Sequence, residues 1–286
     1  MKIAGAPISW GVCEVPGWGL MLDRDTVLAE MSELGLTATE LGPPDYLPTD
    51  PTELKALLGK YNLTLVGGFL AVALHEGNAA EEANRTASLL AACGAEVLVL
   101  AAATGLDGYD ERPALTDEQW RTLIRTAGEI RDTAAKYGLK TVLHPHVGTH
   151  VETRAEVERF VKDSDLRLCL DTGHLMIGGT DPVALAERYP DRIGHLHLKD
   201  VRADLADEVR AGRLGYTEAV SRGMYVPLGQ GDVDIAAVVR LVREAGYDGW
   251  FVLEQDTALD ERSPVDTPRL DTARSLHHLN QTAAGR

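Results

Sequence analysis

The sequence predicts an α/β protein built as one closed (β/α)8 barrel, a TIM barrel, spanning residues 1–286 as one domain. Three observations lead there. Short β-prone runs alternate with helical patterns along the chain, and eight such strands are predicted. The runs are continuously apolar rather than alternating, as expected for parallel strands covered by helices. Four runs in the second half (Thr141–His144, Leu168–Asp171, Ile193–His197 and Trp250–Glu254) each end on a residue able to bind a metal. The spacing between the first three fits one strand–helix–strand unit of about 30 residues, and the longer last gap fits one unit carrying an insertion.

In chain order, residues 2–9 form the first predicted strand, followed by Ser9-Trp10-Gly11, with Gly17-Trp18-Gly19 in the next loop. An indole there either covers a site or anchors the loop. Asp25–Leu34 carries Val27, Leu28, Met31 and Leu34 at helical spacing, and Gly35 stops it. Thr37–Gly42 is the second strand, with Glu40 at its end and Pro43-Pro44 blocking an immediate helix. A helix over Pro51–Tyr61, a strand over Leu63–Ala71, a helix over Asn78–Cys93 and a strand over Glu96–Ala101 follow. The helix over Asp117–Tyr137 has Thr116 as N-cap and Gly138 as its stop. Helices at Arg154–Lys162, Pro182–Tyr189 and Asp234–Ala245 separate the later strands, and Asp200 is placed to cap the helix after it. Residues 201–228 form a helical insertion after strand seven, patterned as short helices near Leu205–Ala211 and Thr217–Arg222. A last helix over Pro268–Asn280 leaves Gln281–Arg286 as a loose tail.

The net charge of −16 argues against a nucleic-acid partner and against docking on anionic membranes, since both need clustered Lys and Arg. Cys13, Cys93 and Cys169 are odd in number and lack CxxC spacing, so no disulfide framework is expected. The N-terminus enters a strand directly, with no signal-like apolar segment, and no run is long enough to span a bilayer. A cytoplasmic protein is expected; self-association into a homo-oligomer stays open. The glycine-rich GxGxxG and GxxxxGK[ST] phosphate signatures are absent.

Strand period puts His144 on one face with Val142, Asp171 with Cys169, His197 with His195 and Glu254 with Val252. In a barrel of this kind the four strand ends share one mouth, so His144, Asp171, His197 and Glu254 are the expected metal ligands. Two imidazoles and two carboxylates suit Mn²⁺, Co²⁺, Fe²⁺ or Zn²⁺. Open positions on the ion would accept a carbonyl and an adjacent hydroxyl, so the expected partner is a small keto-polyol. Asp171 also fits a turn at Asp171-Thr172-Gly173-His174. His146, His174 and Lys199 join Glu254 as candidate proton-transfer groups. Trp10, Glu40, His174, Lys199 and Arg202 are the candidate substrate contacts; Glu40 equally fits a carboxylate bracing the mouth.

At these residues the chain resembles the xylose-isomerase-like sugar isomerase/epimerase superfamily, and within it the inosose dehydratases, which remove water from 2-keto-myo-inositol. The resemblance rests on Ala6-Pro7-Ile8-Ser9-Trp10-Gly11, Glu40-Leu41-Gly42, His144-Pro145-His146-Val147-Gly148-Thr149, and the run from His195 through Lys199 and Arg202 to Val226-Pro227-Leu228-Gly229-Gln230-Gly231-Asp232-Val233-Asp234. It implies a metal-dependent hydro-lyase using Mn²⁺ or Co²⁺, with α-proton removal and a metal-stabilised enediolate. His144 stands where the isomerases carry a Glu, which disfavours two-base proton exchange and favours one-sided proton removal with loss of a β-hydroxyl. Two stretches depart from the dehydratase pattern, Val12–Pro16 and Leu228-Gly229-Gln230, and both bear on substrate choice. The alternatives are a keto-sugar isomerase or epimerase on the same site, a lyase for 3-keto-glycosides, and a non-catalytic sugar-binding barrel.

Overall fold

Parallel strands need long crossovers, and helices provide them. A computed structural model gives the structure, describing residues 1–283. The first strands are β1 (Lys2–Gly5), β2 (Ala38–Thr39), β3 (Thr64–Leu65), β4 (Gly67–Val72), β5 (Val97–Ala102), β6 (Lys140–Leu143), β7 (Arg167–Asp171) and β8 (Ile193–Leu198). A small antiparallel pair, β9 (Asp200–Val201) and β10 (Tyr225–Val226), precedes β11 (Trp250–Leu253). The main sheet runs β3-β2-β1-β11-β8-β7-β6-β5-β4, all parallel.

Its two ends are one stretch of chain. Only Val66 separates β3 from β4; its N–H donates to Thr39 O (2.9 Å) and its carbonyl accepts from Glu96 N (2.9 Å). The sheet therefore closes on itself, and β3 with β4 fill the third of the eight expected strand positions.

The helices are α1 (Arg24–Glu33), α2 (Pro51–Lys60), α3 (Ala80–Ala92), α4 (Asp117–Ala135), α5 (Arg154–Asp163), α6 (Thr172–Ile177), α7 (Pro182–Arg188), α8 (Ala203–Arg210), α9 (Tyr216–Ser221), α10 (Ile235–Glu244) and α11 (Thr267–Ala283). Thr116 caps α4 in a full capping box with Gln119, and Thr153 does the same for α5 with Glu156. The main core lies between sheet and helices, where Leu28, Met31, Leu90, Leu123, Ile130 and Phe160 are buried. Two small clusters, Ala4/Ala6/Ala38/Val66/Val252 and Val97/Val99/Val142/Cys169, form separately from it on the other face of the strands. His144, Asp171 and Glu254 stand two residues beyond Val142, Cys169 and Val252, so period two carries them on this face to the strand ends.

Five expectations change. Residues 172–177 form a short helix rather than a bare turn. Strand two contracts to Ala38–Thr39, and strand three is interrupted at Val66. Asp200 does not cap α8. Its buried carboxylate instead accepts from the backbone N–H groups of Val201 (2.9 Å), Gly229 (2.8 Å), Gly231 (2.9 Å) and Val233 (3.1 Å). Asp232, on that same loop, accepts from Ala203 N (2.8 Å) at the start of α8. Of the expected loose tail, residues 281–283 are helical within α11 and 284–286 lie outside the described residues.

Candidate active site

The ends of β6, β7, β8 and β11 deliver four donor atoms to one place. His144 Nε2 lies 3.3 Å from Asp171 Oδ2 and 3.2 Å from His197 Nδ1. His197 Nδ1 lies 3.6 Å from Asp171 Oδ2 and 3.2 Å from Glu254 Oε2. Asp171 and His197 are direct register partners, and His144 and Glu254 continue the ladders through Leu100 O (2.7 Å) and Leu198 O (3.1 Å). Donor atoms about 2.1 Å from a shared cation are separated by roughly 3.0 Å at right angles and about 3.4 Å tetrahedrally. The observed edges match that spacing. The Asp171, His197 and Glu254 donors all lie within 4.8 Å of one another, and His144 joins them through Asp171 and His197; two imidazole nitrogens and two carboxylate oxygens suit a divalent cation.

Asp171 does two jobs at once. Its Oδ1 caps α6 by accepting from His174 N at 2.8 Å, while Oδ2 faces the donor cluster. One oxygen thus serves the local fold and the other is left facing the donor cluster. Burial would raise its pKa, but Lys199 and then the neighbouring histidines hold it well below the ordinary carboxylate value.

Glu40 occupies the far side of His197. Its Oε1 lies 3.1 Å from His197 Nε2 and 2.7 Å from His195 Nε2. Burial opposes its charge, yet His197 and His195 together keep it ionised. An ionised carboxylate accepts from Nε2–H, and with a cation bound this would leave Nδ1 to face it.

Beside the cluster stand His146, His174 and Lys199, the candidate proton-transfer groups. His146 Nδ1 lies 2.7 Å from Val147 O and so carries the proton, leaving Nε2 as a lone pair. Burial, then His144, depress its pKa to about 3, so it is neutral. The Val147 N–H donates to His174 Nδ1 (3.3 Å), so neutral His174 carries its proton on Nε2. Its pKa is likewise pushed down, by burial and then by His146. The two rings lie 3.7 Å apart. Lys199 Nζ lies 2.9 Å from Glu254, 3.6 Å from Asp171 and 2.5 Å from Asp256. Burial disfavours its charge, but Asp256, Glu254 and Asp171 outweigh it and keep the ammonium charged.

A cavity opens over these groups, lined by His144, His146, His197, Lys199, Glu254 and Glu40 at its floor and by Ile8, Val12, Trp18, Phe69, Glu14 and Tyr109 around its walls. The Tyr109 hydroxyl donates to the Glu14 carboxylate, joining the loop after β5 to the loop after β1. The cavity measures about 80 Å³. On a scale where one water takes roughly 10–15 Å³, that is room for on the order of five to eight waters, about the bulk of one polyol ring.

Three expected substrate contacts lie elsewhere. Trp10 is fully buried and donates to Glu30 at 2.7 Å; the indole on the cavity is Trp18, whose Nε1 donates to Thr257 O at 2.9 Å. Arg202 is exposed and paired with Asp204. His174 lies behind His146 and Lys199 rather than on the wall. The sequence reading passed over Asp256, although it follows Glu254 by two just as Lys199 follows His197. It also passed over Tyr216, whose contact is tertiary, and Tyr109, whose loop gives no periodic signal; Glu14 lies within the Val12–Pro16 stretch already linked to substrate choice.

The model of the xylose isomerase-like TIM barrel family matches residues 28–281. An inosose dehydratase of Geobacillus kaustophilus (strain HTA426) is 36% identical over 97% of this chain and 96% of its own. One from Lacticaseibacillus casei is 33% identical over 93% of each chain. Among solved structures, the IOLI protein with a bound zinc atom superposes with a TM-score of 0.71, at 16% identity, over 100% of this chain and 99% of that one, a likeness of fold. With most of both chains shared at this identity, and a matching arrangement of strands, the protein belongs to the xylose isomerase-like TIM barrel family as an inosose dehydratase-like enzyme.

Proposed function

We propose that the protein is a metal-dependent dehydratase acting on a keto-cyclitol, with 2-keto-myo-inositol as its substrate. The observation that carries this is the meeting of His144, Asp171, His197 and Glu254 donor atoms at the floor of a ring-sized cavity, beside one charged and two neutral proton-transfer groups. The names of the relatives supply the substrate class.

His144, Asp171, His197 and Glu254 would hold the cation, Mn²⁺ or Co²⁺, with Zn²⁺ and Fe²⁺ also suited to the donors. When bound, it would polarise the ketone and offset the negative charge that develops on its oxygen. Glu254 or the free Nε2 of His146 takes the α-proton. The C–H electron pair becomes the new C=C bond as the β-carbon–oxygen bond breaks. The departing hydroxyl takes a proton from Lys199 or, behind it, from His174 Nε2–H, and leaves as water. The different protonation states of these groups, set by burial and neighbouring charge, suit one side of the site to accept and the other to donate.

Elemental analysis of the purified chain, then a keto-cyclitol screen with the metal found, tests the reading. Growth of a conjugated enone or diketone absorbance supports it; interconversion of ketoses without water loss would replace it with the isomerase or epimerase alternative.

A further inference from the structure

The segment between β9 and β10 reaches the site through one side chain. Tyr216, the first residue of α9, is buried, and its hydroxyl donates to Asp256 Oδ2 at 2.6 Å while lying 3.0 Å from the Tyr225 hydroxyl. The other Asp256 oxygen accepts from Lys199 Nζ at 2.5 Å. Tyr216 is held in turn from the opposite side of the mouth, since its backbone N–H donates to Asp110 Oδ1 at 2.5 Å.

Lys199 has a long side chain with four rotatable bonds, and ordering it costs conformational entropy. Two of its carboxylate neighbours, Glu254 (2.9 Å) and Asp171 (3.6 Å), meet it through the same Oε2 and Oδ2 atoms that face His197 Nδ1. Both are oxygens a cation would also need, so neither is free to hold the ammonium once a cation is bound. Asp256 supplies a third anion outside the donor cluster, and Tyr216 fixes its orientation.

We propose that Asp256, buttressed by Tyr216 from the inserted segment, is a positioning residue that holds Lys199 at the cavity edge as proton donor. This deepens the dehydratase reading and rests on it for the donor role. It gives residues 203–224 a task in the chemistry, because Tyr216 completes a clamp that β-strand residues alone leave open.

The test uses the metal-loaded full chain with Asp256→Asn and Tyr216→Phe. Keto-cyclitol kinetics are paired with reductive methylation of lysines by formaldehyde and an amine borane, read peptide by peptide. Displacing a catalytic group by about an ångström costs on the order of 100-fold, so kcat is expected to fall by about that factor in D256N and about tenfold in Y216F, with KM and metal content nearly unchanged. Asp256→Glu should recover part of the loss. Lys199 should resist methylation in the wild type and react in D256N. Y216F removes one oxygen atom and carries the test if D256N does not fold. Equal protection of Lys199 in wild type and variants, or kcat within about twofold of wild type in both, overturns the proposal. If the wild type turns over no keto-polyol, the dehydratase reading falls, and the methylation pattern alone decides whether Asp256 and Tyr216 position Lys199.

Discussion

Glu40 and His197 meet at 3.1 Å through Oε1 and Nε2, on the side of the imidazole away from Asp171 and Glu254. One ring nitrogen is thereby occupied, and the other would be the one to take a cation in the donor cluster. Loss of such an outer partner typically costs 10–100-fold in metal affinity. Glu40→Gln keeps the size and removes the charge. We expect a folded protein whose metal affinity, measured by chelator competition, drops by about that range. Unchanged affinity would leave Glu40 as a mouth brace only.

Asp171 separates structure from chemistry because its two oxygens face different partners. Asp171→Asn retains a cap acceptor for α6 and loses the negative charge. It should fold near wild type, lose bound metal and lose metal-dependent turnover. Asp171→Ala should do the same and give up a further ~1 kcal/mol of stability with the cap. Denaturant unfolding of the pair measures the cap, and metal content measures the charge. Full activity in either variant, or in Glu254→Ala, would refute the donor assignment.

Metal removal gives a third readout. A ligand bound to the folded state alone at 100 times its Kd stabilises by about 2.7 kcal/mol. For a chain of this length each kcal/mol moves Tm by roughly 2–3 °C. A chelator should therefore lower the wild-type Tm by about 5–8 °C, and re-addition of Mn²⁺ or Co²⁺ should restore it. Asp171→Asn should show neither effect. A chelator-insensitive Tm in protein shown to contain metal would argue that the ion lies outside this site.

How much of this was legible in the sequence depends on the range of the force that placed each residue. His144, Asp171, His197 and Glu254 were readable because strand period and the βα repeat both fix where a strand ends. Thr116 was readable because a cap acts within one turn. Asp200 was misread for the same reason: a cap rule looks three residues ahead, whereas its carboxylate binds a loop beginning at Gly229. Trp10 and Trp18 could not be told apart, because which indole faces the cavity is decided by packing on Glu30 and Thr257. Tyr216 reaches Asp256 only through tertiary docking of α9, and no local pattern announces that.

His150 carries a pH prediction away from the donor cluster. It is buried, its Nε2 has no partner among the described residues, and its ring stands edge-on to His75 at 4.5 Å. Burial, followed by the nearby His75 and Arg112, lowers its pKa from 6.5 to about 4. The unfolded chain then binds this proton more readily than the folded one, so the group's contribution is fully present above pH 6.5 and lost as pH falls toward about 4. His150→Gln removes the titration. Between pH 6.5 and about 4, urea stability should fall more steeply for wild type than for the variant; parallel curves would show that His150 titrates alike in both states.

Asp200 offers the largest single stability effect. Its carboxylate is 1% exposed and takes four backbone N–H groups, those of Val201, Gly229, Gly231 and Val233. Asp200→Ala leaves these donors without their acceptor. An orphaned buried donor costs about 1–3 kcal/mol, so a loss of at least ~3 kcal/mol is expected. Asp200→Asn keeps one acceptor oxygen and should lose roughly half as much. The loop also carries Asp232, which accepts from Ala203 N, so the damage should spread to α8 and the segment bearing Tyr216. Hydrogen exchange in Asp200→Asn should therefore rise first at residues 203–233, with the β7–β8 ladder still protected; uniform exchange across the barrel would mean that Asp200 supports global rather than local stability.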